Sequence, residues 1–181
     1  MATRQLPTDE QLEMMARQHL SWEVLCLLDS LGYRGHTSIS TRTRIGELWS
    51  YRIGFSVARR MFNHPLAMHD AMIHTRVIAS FLRCQSPCAD GRHKNDIEAG
   101  HYISTWQGLN TLGSEINREI LNKSVAHLSL ERLHLPVMSI AERRLLAIET
   151  LKGLRVFIRE LPDDRADWFD DISEALGPVK L

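Results

Sequence analysis

Apolar residues recur every three to five positions along nearly the whole chain, and they never alternate with polar ones over a strand's length. That spacing confines the chain to helices packed on helices. Thr8 and Gln11 form a capping box after Pro7, and Leu12, Met15, Leu20, Val24, Leu27, Leu28 and Leu31 continue the step before Gly32 stops the run, which predicts a helix over about 8–31. Residues 32–41 are rich in Gly, Ser and Thr and read as a loop, after which Ile45, Leu48, Trp49, Ile53, Val57 and Met61 define a second helix. Pro65 opens a third, over about 65–83, with Ala67, Ala71, Ile78 and Phe81 on its inward stripe.

Further on, Cys84 to Asn95 reads as a loop, and Asp96 is placed to cap a short helix reaching about Trp106. A longer helix is expected over about 113–132. Ser139 and Glu142 form a second capping box, and Leu145, Ile148, Leu151, Leu154, Ile158 and Leu161 keep the helical step to Pro162. Asp163 or Asp164 then starts a last helix to about 176. The expectation is one all-α domain over 1–181, an up-and-down bundle of five to six helices with its core over about 8–161.

At 181 residues and 44% hydrophobic, such a chain is long enough to bury a core without disulfides or a structural metal. Cys26, Cys84 and Cys88 are an odd number, so reduced thiols are the default reading. The N-terminus lacks an apolar signal segment, and arginines interrupt the richest apolar stretches, so the expected setting is cytoplasmic, without membrane contact. Lys plus Arg and Asp plus Glu both number 22, which leaves no whole-molecule field to attract nucleic acid. A local patch remains open: Arg34, Arg42, Arg44, Arg52, Arg59 and Arg60 crowd the first third, and Arg52, Arg59 and Arg60 are candidate RNA contacts.

The most informative polar pattern lies on the 113–132 stretch, where Asn122, His127 and Arg132 stand five residues apart on an apolar helix. Successive members point about 140° apart, so a kink, another helix or a second subunit is needed to bring them together. The sequence Asn122-Lys123-x-x-Ala126-His127 resembles the motif of HEPN domains, all-α proteins of prokaryotic defence and toxin systems. The resemblance implies a metal-independent endoribonuclease site built across a homodimer, with an antitoxin as a possible protein partner and no cofactor. His127 would take the ribose 2′-hydroxyl proton, and Asn122 would bond the phosphate. Leu121 stands where that motif carries Arg, so the positive charge would have to come from Arg118, Arg76 or Arg132.

A wider resemblance covers about 60 residues: Ile73-His74-Thr75-Arg76, then Asn95-Asp96-Ile97-Glu98-Ala99-x-x-Tyr102, then Asn122-Lys123-x-x-Ala126-His127-Leu128-Ser129-x-x-Arg132. These elements resemble, in order, those of a widespread group of uncharacterised bacterial proteins. His74 lies on the inward stripe of its helix and Arg76 about 200° round from it, so His74 is expected to face another helix, as a satisfied core histidine or as a supporting site residue.

Two metal readings compete. Asp70 and His74 are i,i+4 neighbours, suited to shared ligation or to a charge-assisted pair, and His64 and His69 stand close by. The His69-Asp70 doublet resembles the dyad of HD phosphohydrolases, which would need His36 and one of Asp163, Asp164 or Asp167 to complete it; the simpler expectation puts His69 and Asp70 on a solvated face. Cys84, Cys88 and His93 have zinc-like composition, with His101 as the only fourth ligand in reach, and no metal is the preferred reading. Three functions fit the sequence: a HEPN-like protein that binds or cleaves RNA, a non-catalytic dimerisation or interaction module, and an HD-like metal enzyme.

Overall fold

The computed structural model describes residues 6–33, 65–83, 96–108 and 138–177, and among these there are helices and turns and no strand. The protein is all-α over this described part. Its opening rod is continuous but changes geometry twice: α1 (Asp9–Met14), a π-helical segment (Met15–Leu20) and α2 (Ser21–Leu31). The expected capping box is present, the Thr8 hydroxyl accepting from the Gln11 amide and the Gln11 side chain accepting from the Thr8 amide. Gly32 ends the rod at φ 83°, a left-handed conformation that suits glycine.

The π segment has a reason in the sequence. Leu12, Ala16, Leu20 and Val24 are all buried and step by four, and in an α-helix each such step drifts about 40° round the axis. A wider turn takes up that drift and keeps the four side chains on one line. The buried Ser21 hydroxyl donates to the Ala16 carbonyl at 2.9 Å, spanning the five-residue step.

α3 (Pro65–Arg83) has the expected bounds and buries Met68, Ala71, Met72, Ile78, Phe81 and Leu82. α2 packs against α3, and α3 against α4 (Ile140–Arg159), whose Ser139–Glu142 capping box is also formed. The inward stripe of α4 differs from the expected one. Leu145 is 59% exposed, while Leu146, Ala147, Thr150, Leu154 and Phe157 are buried. Two stripes at helical spacing share Leu151, Leu154 and Leu161, and the helix turns to bury the one that carries Phe157, the larger apolar payload.

The helix expected from Asp96 to Trp106 is a single 3-10 turn (Ala99–His101), capped by Glu98 rather than Asp96. Two side chains tether this segment to the helices: the Tyr102 hydroxyl donates to the Leu12 carbonyl at 2.8 Å and the Trp106 indole to the Leu82 carbonyl at 2.8 Å. Those long-range bonds satisfy buried polar tips and hold the segment without a helix. Burial pushes the Tyr102 phenol well above its usual value. Phe81, Tyr102, Trp106, Phe157 and Phe169 meet edge-to-face, with centroids 5.2 Å apart between Phe81 and Phe157 and between Tyr102 and Phe169.

The C-terminal stretch is broken into α5 (Asp163–Ala166), a 3-10 turn (Asp167–Phe169) and α6 (Asp170–Leu176). Arg165 pins it to the tether segment: its guanidinium donates to the His101 carbonyl at 2.7 Å and the Tyr102 carbonyl at 3.1 Å, and lies 5.6 Å from the Trp168 ring centre. Asp167 meets Arg17 of the opening rod at 3.1 Å. The expected helices over 45–61 and 113–132 lie outside the described residues.

Candidate functional site

The described polar chemistry concentrates between α2 and α3. Glu23 and Ser30 occupy one face of α2, seven residues apart, and Asp70 and His74 occupy one face of α3, four apart. His74 Nδ1 lies 2.7 Å from Glu23 Oε2, and its Nε2 lies 3.7 Å from Asp70 Oδ1. Ser30 Oγ donates to Asp70 Oδ2 at 2.6 Å and lies 2.9 Å from the Cys26 carbonyl oxygen. Since residue 23 meets 74 and residue 30 meets 70, the two helices run antiparallel.

Electrostatics assign the proton. Burial disfavours a charge on His74, but the Asp70 and Glu23 carboxylates more than offset it and raise its pKa to about 9. Asp70 is likewise opposed by burial, yet hydrogen bonding to His74 and Ser30 holds it below the usual carboxylate range. At neutral pH the cluster is therefore an imidazolium between two carboxylates. Such a histidine fastens helices and has no free lone pair with which to accept a substrate proton.

Beside this clamp, the π segment and the C-terminal half of α3 enclose an open pocket of about 480 Å³. Leu20, Val77, Phe81 and Ile97 supply apolar wall, and Arg76, Arg83, Asp96 and Glu98 bring charge of both signs. Glu98 is only 4% exposed and caps its 3-10 turn through the His101 amide, while the His101 ring Nδ1 accepts from the Glu98 amide at 3.0 Å.

The expected site residues divide accordingly. His74 and Arg76 are brought near one pocket, His74 in the clamp behind Glu23 and Arg76 on the pocket wall. His127, Asn122, Arg118 and Arg132 lie outside the described residues, as do Arg52, Arg59, Arg60, His36, His64, Cys84, Cys88 and His93. His69 is exposed as expected, but Asp70 is not on a solvated face; Ser30 and His74 engage it. Asp163 and Asp164 are exposed on α5, and Asp167 is bound to Arg17, thirteen positions before Ser30 on the opening rod. That places Asp167 on the order of 20 Å along the rod from Asp70, too far to share an ion. Among the described residues no cluster of His, Cys, Asp and Glu has the arrangement to hold a metal.

Glu23 and Ser30 are the partners that the sequence pattern left unassigned. Their signal was present as two polar residues at helical spacing beside the Val24, Leu27 and Leu31 stripe. No family model, curated protein or solved structure matches this chain. No described helix is long and apolar enough to cross a membrane.

Proposed function

We propose that this chain is a helical interaction module of the HEPN-like kind, acting as a homodimer by docking a partner in a defence or toxin-antitoxin setting. The observation that favours a non-catalytic module over an enzyme is the clamp within the chain. His74, the candidate supporting histidine of α3, is held as a cation between Glu23 and Asp70, so its polarity serves to register two helices. Size-exclusion chromatography with light scattering, run together with an RNA cleavage assay in EDTA, tests it. A dimeric mass and intact RNA are expected from wild type; a monomer at every concentration tested would count against the dimer.

A second reading is a metal-independent endoribonuclease in which His127 is the general base, Asn122 bonds the phosphate and Arg118 or Arg132 acts with Arg76. What favours it is the position of Arg76, which lies outside the clamp on an open pocket. Cleavage by wild type, lost in His127→Ala and weakened in Arg76→Gln, with fragments ending in a 2′,3′-cyclic phosphate, would replace the first reading with this one.

A further inference from the structure

The outer face of α4 carries a pattern that the fold does not use. Glu142, Leu145, Glu149, Lys152, Val156 and Arg159 follow one another at steps of three and four, the spacing of a coiled-coil seam, and run about 26 Å along the helix. They lie on the far side from Ala147, Leu154 and Phe157, which the core buries. Leu145 is 59% exposed and Val156 41%, with Glu142, Lys152 and Arg159 exposed and Glu149 half-buried among them. Two exposed apolar residues need no explanation on their own, but their order among the charges does. Turned end over end about the midpoint between Thr150 and Leu151, the seam of one copy sets Glu142 opposite Arg159 of another, Leu145 opposite Val156, and Glu149 opposite Lys152, each pair occurring twice. A parallel alignment in register would set Glu149 on Glu149 and Lys152 on Lys152. The seam is therefore complementary to itself in one direction only.

The bonds these side chains already make are compatible with such pairing. Lys152 Nζ donates to Glu149 Oε1 of the same chain at 2.8 Å, and the two side chains remain 46% and 34% exposed. An ammonium carries three donors and a carboxylate two acceptor oxygens, so each can meet its counterpart on a second copy while keeping this bond, which closes a ring of alternating charges. Glu142 serves the cap of α4 through one oxygen, Oε2.

We propose that the outer face of α4 is where two copies of this chain meet, their α4 helices packed antiparallel across a two-fold axis. The Leu145–Val156 pairs supply the apolar contact, and the charged pairs fix direction and register. This interface rests on the homodimer of the reading above and adds the place where it forms. Contact along a single helix is small by the standard of stable complexes, so a dimer that dissociates on dilution is expected.

Sedimentation equilibrium of the full chain over a concentration series tests it. Wild type is expected to show a reversible monomer–dimer equilibrium. Glu149→Lys alone and Lys152→Glu alone each set like charges against one another in two places, and each should weaken self-association at least about tenfold, with the far-ultraviolet circular dichroism unchanged because both side chains lie at the surface. An equimolar mixture of the two variants places opposite charges across the seam again and should recover most of the wild-type association as a heterodimer, a rescue that a role within one chain would not give. Should a charge variant fail to fold, Leu145→Ser, at an exposed position, supplies the second arm, with dimerisation weakened to a similar extent. Wild type that stays monomeric at every concentration removes the dimer and this interface with it. A wild-type dimer that the folded variants leave unchanged, or charge variants that associate no better mixed than apart, overturns the α4 interface and leaves the dimer standing.

Discussion

Two seams converge on α3, and they are built from opposite chemistry. Towards α2 it presents the polar clamp, where Asp70 and His74 meet Ser30 and Glu23. Towards α4 and the tether segment it presents Phe81, in edge-to-face contact with Phe157 and Tyr102. An aromatic seam supplies most of its stabilisation through burial and tolerates small slips. A clamp of charges supplies less net stability, because desolvation offsets much of the attraction, but it is satisfied in only one register. The aromatic seam holds the helices together; the clamp states where each must stop.

Cutting into the aromatic seam should have the largest effect. Phe157→Ala removes a fully buried ring that four other aromatic side chains touch, and a loss of about 3–5 kcal/mol is expected in urea denaturation. His74→Ala should cost about 2 kcal/mol, less than a deeply buried pair because the cluster is partly open to water, and mainly because Glu23 and Asp70 are then left facing each other. Combining it with Glu23→Gln should recover part of that loss. A neutral His74→Ala would show that the clamp adds nothing.

Proton titration separates the seams again. The His74 pKa is raised in the folded chain, so its contribution is fully present below the unfolded value of roughly 6.5 and lost as pH rises through about 9. Asp70 is lowered, so its contribution is present above the usual carboxylate range and lost as pH falls through its folded value. The melting-temperature difference between wild type and His74→Ala should therefore shrink as pH rises from about 6.5 and be smallest above 9. The corresponding difference for Phe157→Ala should stay constant across that range, and a parallel fall would remove the distinction between the seams. Thr8→Ala, which strips the cap of α1 and touches neither seam, should cost only about 1 kcal/mol in thermal unfolding.

Helix ends were the most legible part of the fold. Thr8, Gly32, Pro65 and Ser139 act through their own neighbours within a turn, and each marks a boundary where expected. Helix rotation was harder to read, because α4 offers two stripes at equal spacing and the choice depends on what Phe157 meets in space. The Asp96–Trp106 segment misled for a similar reason: its bonds run to Leu12 and Leu82, far along the chain, and no local pattern announces them. Half of the clamp was visible as the i,i+4 pair Asp70 and His74. The other half, Glu23 and Ser30, is separated from it by 51 and 40 residues and becomes meaningful only once the helices are antiparallel.

The π segment also gives the opening rod one residue of slack. A wide turn holds an extra residue relative to an α-helical one, so removing a residue between Met15 and Leu20 lets the rod close into uninterrupted α-helix with Glu23 and Ser30 facing nearly where they did. The same deletion made inside α2, between Glu23 and Ser30, has no wide turn to absorb it. Ser30 would then be carried about 100° round the axis and away from Asp70, although neither residue had been altered. Two deletions a few positions apart on one continuous rod thus have opposite fates, the first losing only a local bulge and the second undoing half of the clamp.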